Sequence, residues 1–329
     1  MRLTFFGTPE FAVPILSAAA TRHDVAAVIT QPDQPSGRGK KLVSPPIVSL
    51  ARELGIPALQ FERVRRKESL DALRGLGADI FVTAAYGQIL SQKVLDIPRL
   101  GTVNVHASLL PKYRGAAPAQ WAIINGETMT GVTTMLTDIG IDTGDILLQK
   151  EEPIHESDTS GTLLARLSVV GAALLLETLE GIERGTIARV KQDDAMATHC
   201  AMLTKEHGRI DWMKSAEQVC NLVRGVTPWP GAYTYIGNEM LKIHSAQAEP
   251  YTVLSDMQSD DEGGIPGTVV ESSGKTGLLV RCSDGYLRLL EVQLAGGKRL
   301  AARDFLMGHP VPVGTVLGGQ MQTRNADGT

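Results

Sequence analysis

A chain of 329 residues, 43% hydrophobic and 21% charged, has the make-up of an ordinary soluble globular protein and room for two domains. Its formal net charge of −4 excludes a global field that would recruit nucleic acid, so any polyanion must be held by local basic patches. The three cysteines, Cys200, Cys220 and Cys282, are widely spaced, with no CxxC and no cysteine–histidine cluster, which fits buried thiols in a reducing compartment.

Met1 leads almost directly into Leu3–Phe6, a strand pattern, without the charged, apolar and cleavage regions of a secretory leader. After the turn at Gly7-Thr8-Pro9, a helix is expected from Phe11 to Ala20, with Pro14 tolerable because it falls in the first turn. Val25–Thr30 is an apolar, β-branched strand, Ile47–Leu54 a helix stopped by Gly55, Ser69–Leu76 a second helix. Asp79–Thr83 and Gly101–His106 are further strands. This βαβα order implies a parallel sheet covered on both faces, with ligands outside the carboxyl ends of its strands. Val132–Thr137 and Ile146–Lys150 are two further strand candidates around the turn Asp138–Asp145, and a long helix follows from about Thr162 to Gly181, capped from Thr159-Ser160. The apolar stretch inside it, Leu167–Leu179, contains Ser168, Gly171 and Glu177 and reads as too short and too polar to span a membrane.

Residues 189–206 have little periodicity and read as a linker between a first domain, 1–188, and a second, 207–315. In the second, a helix at about Ser215–Arg224 precedes the strands Met240–Ile243, Gly267–Val270, Leu278–Arg281 and Leu287–Val292, a spacing that predicts a small β-barrel. Ser255–Gly264 is an acidic, solvated loop, and 316–329 a polar tail.

Two glycine-containing turns imitate nucleotide sites. Gly7-Thr8-Pro9 lacks the later glycines of GxGxxG, so it reads as a pocket-lining loop. Ser273-Gly274-Lys275-Thr276 lacks the earlier glycine of a P-loop, since Val269 stands there, and it is a turn. The seven histidines show no metal spacing. One stretch remains: Asn104-Val105-His106-Ala107-Ser108-Leu109-Leu110-Pro111. Residues i and i+2 of a strand share a face, so Asn104 and His106 point into one pocket, an amide beside an imidazole suited to work on a carbonyl. A carboxylate is needed to hold such an imidazole in one tautomer. Asp142 and Asp145 are both candidates, and spacing does not rank them. Arg38, Lys40 and Lys41, within four residues, suit phosphate contacts. Arg63, Arg65, Arg66 and Lys67 read as a solvated helix start.

The Asn104–Pro111 stretch together with Asp142-Thr143-Gly144-Asp145 resembles the 10-formyltetrahydrofolate-dependent formyltransferases. The resemblance extends to Phe6-Gly7-Thr8-Pro9-Glu10-Phe11-Ala12, Gly37-Arg38-Gly39-Lys40-Lys41, Tyr113-Arg114-Gly115-Ala116-Ala117-Pro118 and Pro228-Trp229-Pro230-Gly231-Ala232, so it covers roughly residues 1–315. Purine-pathway members usually carry proline where Ala107 stands, and they lack the basic insert and the second domain. The resemblance is therefore to the members whose acceptor is methionyl initiator tRNA.

It implies an α/β fold: a Rossmann-like, doubly wound, mainly parallel sheet followed by a small C-terminal OB-like β-barrel. It implies transfer of a formyl group from 10-formyltetrahydrofolate to the amino group of the charged tRNA, without a metal, by a monomeric, cytoplasmic enzyme of bacterial type that needs no membrane. By the same resemblance Asn104, His106 and Asp142 are catalytic, which decides between the two aspartates. Ser108, Leu109, Leu110 and Pro111 form the folate turn, with Gln88 and Leu90 in the wall of the same pocket. Arg38, Lys40 and Lys41 meet the tRNA. A formyltransferase for a small amine and a non-catalytic RNA-binding module are the competing readings.

Overall fold

The computed structural model describes residues 1–36, 41–251 and 264–318, with Ser36 and Lys41 described by their backbone alone. The chain divides into two compact units. The first comprises Met1–Ala119, Thr128–Glu156 and Gly161–Met202; the second comprises Gln120–Glu127, Ser157–Ser160 and the chain from Leu203 on.

The first unit is built on seven strands: β1 (Arg2–Gly7), β2 (Asp24–Thr30), β3 (Ala58–Gln60), β4 (Ile80–Ala84), β5 (Thr102–His106), β6 (Met129–Leu136) and β7 (Ile146–Pro153). Their order is β7-β6-β5-β4-β1-β2-β3. The pairs among β1 to β5 are parallel, and β6 is antiparallel to both β5 and β7. The doubly wound, mainly parallel sheet is therefore present. All five residues of β4, Ile-Phe-Val-Thr-Ala, are buried, as a strand covered on both faces requires. The sheet winds outward from β1 in both directions, and such a switch opens a crevice at the strands' carboxyl ends.

The helices follow from their apolar spacing. Ala12–Arg22 buries Ala12, Ile15, Leu16 and Ala19, the i, i+3, i+4, i+7 stripe of one helix face, and Pro14 lies in its first turn. Ser160–Arg184 is longer than the apolar stretch read from the sequence. Its 25 residues are long and apolar enough to cross a membrane by length and composition, which corrects the expectation that the segment is too short and too polar. Its contacts are those of a core helix. A Cβ on Gly171 would lie 3.0 Å from Val105, and Thr178 shares a hydrogen bond with Thr134 of β6 at 2.7 Å. It thus covers the face of β5 opposite to Asn104 and His106.

The segment expected as a linker is more structured than its composition implies. Its residues up to Met202 belong to the first unit, and His199–Cys200 pairs in parallel with Arg114–Gly115. The loop bearing the basic run is framed by Gln34–Ser36 and Lys41–Val43, which pair antiparallel. Arg38, Lys40 and the Lys41 side chain lie outside the described residues, as do 252–263, which take in the acidic loop up to Gly263, and the tail from 319. Arg63, Arg65, Arg66 and Lys67 are exposed around the start of the helix Lys67–Gly75.

The second unit carries an antiparallel sheet of β8 (Ala232–Ile236), β9 (Glu239–Pro250), β10 (Val269–Ser273), β11 (Gly277–Arg281) and β12 (Gly285–Leu294), in the order β8-β9-β12-β11-β10. No ladder joins β8 to β10 among the described residues, so of the expected barrel the second unit shows the antiparallel sheet. Leu241, Ile243, Leu278, Val280, Leu287 and Leu289 form its core with Trp212 and Phe305. The helix Ala216–Gly225 starts where Ser215 and Gln218 cap each other, a reciprocal box that satisfies two end donors.

Candidate active site

The site assembles at the carboxyl end of β5. Asn104 and His106 share a face, and Thr83 on β4 stands in register with Asn104. Thr83 Oγ1 donates to Asn104 Oδ1 at 2.7 Å, which fixes the amide's orientation. Asn104 Nδ2 then donates to Asp142 Oδ1 at 3.3 Å. An amide nitrogen carries two hydrogens, so one N–H remains for a ligand. His106 is 6% exposed, and its Nε2 lies 3.0 Å from the carbonyl oxygen of Tyr113. A carbonyl only accepts, so Nε2 carries the proton and Nδ1 is the ring's second site. That Nδ1 faces Asp142 Oδ2 at 3.6 Å, an ion-pair distance rather than a hydrogen bond.

It is Asp142 whose carboxylate meets the strand residues. The backbone N–H of Gly115 donates to its Oδ2 at 2.9 Å. Asp142 and Tyr113 have φ of 53° and 60°, and Ala85 is the other non-glycine residue with positive φ among those described. Left-handed backbone at such residues persists where surrounding contacts enforce it, and it concentrates at functional sites. Cys200 Sγ donates to the carbonyls of Tyr113 and Arg114, each at 3.4 Å. Burial pushes the Cys200 thiol above its ordinary range, so it is a neutral donor here and not a nucleophile.

The turn Ser108–Pro111 is pinned from β6 and β7. Ser108 Oγ donates to Lys112 O at 2.7 Å, Thr133 Oγ1 donates to Ser108 O at 2.7 Å, and Gln149 Nε2 donates to Leu110 O at 2.8 Å. Gln88 uses its side chain on scaffold: Oε1 accepts from Val64 N at 2.9 Å and Nε2 donates to Phe61 O at 2.8 Å. Leu90 is buried in a cluster with Phe6, Phe81 and Tyr86.

The chain has been compared with known proteins. Its residues 1–179 match the family described as "Formyl transferase", and residues 202–310 match "Formyl transferase, C-terminal domain". It is 48% identical over 319 residues to the methionyl-tRNA formyltransferase of Geotalea uraniireducens, covering 97% of this chain and 98% of the relative. It is 46% identical over 319 residues to that of Ruminiclostridium cellulolyticum, covering 97% and 100%. The chain belongs to the methionyl-tRNA formyltransferase family. Solved structures share its fold at lower identity. HypX from Aquifex aeolicus in complex with tetrahydrofolic acid has a TM-score of 0.62 at 18% identity, over 93% of this chain and 47% of HypX, so the chain spans about half of HypX's length. The N-formyltransferase from Helicobacter canadensis has a TM-score of 0.62 at 20% identity, over 91% and 99%.

Several side chains that hold this formyltransferase's site were not found by sequence reasoning. Thr83 acts through a strand pairing that no local pattern shows. Thr133 and Gln149 sit on strands β6 and β7, where no motif marks them. Gly115 has φ of 124°, and a Cβ there would lie 2.2 Å from Cys200 O. Gly115→Ala should part the Arg114–Gly115 pairing and move the donor off Asp142. A displacement of about 1 Å costs on the order of 10²-fold in rate. Steady-state kcat and the thermal midpoint should both fall.

Proposed function

We propose that this enzyme transfers the formyl group of 10-formyltetrahydrofolate to the α-amino group of methionyl initiator tRNA, with Asn104, His106 and Asp142 as its catalytic residues. The observation that carries the proposal is the convergence of an oriented amide, an imidazole and a carboxylate on one point at the end of β5, the carboxylate on left-handed backbone and the imidazole bonded to the carbonyl of left-handed Tyr113. In the reaction the amine nitrogen bonds to the formyl carbon and the bond from that carbon to N10 breaks. One proton leaves the amine and one reaches N10. Asn104's remaining N–H donates to the formyl oxygen as negative charge develops on it; loss of one such donor typically slows turnover by roughly 10²–10³. His106 Nδ1, facing Asp142, takes and returns the proton, a transfer that contributes roughly 10²–10⁴.

The folate is a second substrate, and the residues fit it. The pinned turn Ser108, Leu109, Leu110 and Pro111 offers a rigid edge beside the trio. Because the Gln88 side chain is committed elsewhere and Leu90 is buried, these two support the pocket wall through the main chain. We read residues 1–188 as the catalytic domain, 189–206 as its connection to the second domain, and 207–315 as a tRNA-binding domain of OB-like type. The bulges in β9 between Ile243 and Ala246, which curve a strand as barrels require, support that last reading. The apolar helix Ser160–Arg184 is a core helix of a monomeric cytoplasmic enzyme.

Incorporation of labelled formyl into charged initiator tRNA tests the proposal, with amino-sugar nucleotides and purine precursors as competing acceptors. No transfer to the tRNA, or preferred transfer to a small amine, overturns it. Arg38, Lys40 and Lys41 are proposed to grip the tRNA near its acceptor end. Arg38→Ala should lower kcat/KM for the tRNA and flatten its log–log salt dependence by about one unit, the signature of one lost phosphate contact. An unchanged salt slope would remove Arg38 from the interface.

A further inference from the structure

We propose that Gln192 is a positioning residue for the transfer, a buried amide clamp that holds the Asp142 turn against the Arg114–Gly115 segment. The proposal rests on the reading of Asp142 as catalytic. Gln192 is 6% exposed, in a segment whose sequence looks like a connector. Its Nε2 donates to the carbonyl oxygens of Asp142, at 2.9 Å, and Gly144, at 2.7 Å. Its Oε1 accepts from Arg114 Nε at 3.0 Å. Arg114 is itself 4% exposed, and its Nη2 donates to Asp194 Oδ1 at 2.8 Å.

The pattern admits one orientation of the amide. Guanidinium only donates and carbonyls only accept, so the oxygen must face Arg114 and the nitrogen must face the turn. Both hydrogens and the oxygen are used, as a buried amide requires. The turn also lies close against β6, since a Cβ on Gly144 would lie 1.8 Å from Leu136 O and Leu136 N donates to Asp145 O at 2.9 Å. Asp142 meanwhile sits at φ 53°, a conformation that needs enforcement. The two segments that Gln192 ties together are the two that meet at the carboxylate, because Gly115 N–H donates to Asp142 Oδ2. Asp193 fixes the far end, accepting from Ala195 N at 3.0 Å and so shaping the turn that carries Asp194.

The test is a double-mutant cycle on the full chain. Gln192→Leu keeps the volume and removes every polar contact. It should lower kcat up to about 10²-fold, the cost of a misplaced reacting group, with KM for folate and for tRNA within about threefold of wild type. Because Gln192 acts through Asp142, Gln192→Leu combined with Asp142→Asn should be no slower than Asp142→Asn alone. Losses that multiply, a kcat near wild type, or an effect confined to KM would overturn the clamp. An Asp142→Asn enzyme with normal turnover would overturn the catalytic assignment, and the clamp with it. If the leucine variant does not fold, Gln192→Glu serves in its place. It keeps the acceptor for Arg114 but turns a carboxylate toward two carbonyl oxygens, so kcat should fall at least as far and the same cycle applies.

Discussion

Asp142→Asn is expected to lower kcat by about 10³-fold or more and to leave the dissociation constant for tRNA within about threefold. The backbone tolerates the change, since asparagine is among the residues that accept left-handed φ, and the side chains are nearly isosteric. What fails is the hydrogen-bond pattern. Both carboxylate oxygens accept, one from Asn104 Nδ2 and one from Gly115 N–H, and the second also faces His106 Nδ1. An amide can present only one oxygen. Its NH₂ must then oppose either Asn104 Nδ2 or Gly115 N–H, donor against donor. It also presents no carboxylate to His106 Nδ1. The same replacement behind the imidazole of a serine protease triad costs about 10⁴ in kcat. Formyl transfer under single-turnover conditions, with tRNA binding measured separately, checks both halves. A single-turnover rate within tenfold of wild type would remove Asp142 from the chemistry.

The parts of this site that the sequence makes readable are those with short-range causes. Asn104 and His106 share a face because strands alternate, and strand ends in a parallel sheet are where ligands bind; both facts are local. Most strands of the first unit lie within a residue or two of their expected bounds, because buried parallel strands are nearly continuous apolar runs. Ala58–Gln60 is missed because an edge strand of three residues has no pattern to detect. Asp142 could be separated from Asp145 only by resemblance, since the choice depends on how a turn 38 residues beyond Asn104 folds back. Gln192 is further still from any local signal. Two polar side chains of its segment, Gln192 and Thr198, are paired with backbone from other loops, which composition cannot distinguish from solvent exposure. The Ser108–Pro111 turn looks rigid from its proline, but its pins, Thr133 and Gln149, come from strands whose apolar neighbours hide them.

His106→Ala should lose rate and stability together, and separating the two is what makes it informative. The ring is buried, and its Nε2–H is the hydrogen bond that Tyr113 O receives at 3.0 Å. Without it that carbonyl keeps the Cys200 thiol at 3.4 Å, a weaker donor. An under-satisfied buried acceptor costs about 1–3 kcal/mol, so the thermal midpoint should drop. Loss of the proton carrier should cut kcat by roughly 10²–10⁴ at the same time. His106→Gln divides the two effects. Its amide N–H can reach toward the Tyr113 carbonyl, so most of the lost midpoint should return. An amide cannot take up a proton at Nδ1's place, so kcat should stay as low as in the alanine variant. Recovery of both midpoint and turnover in the glutamine variant would mean that His106 only holds the Tyr113 turn in place. Recovery of the midpoint alone assigns the proton to the ring and leaves Asn104 to meet the oxygen.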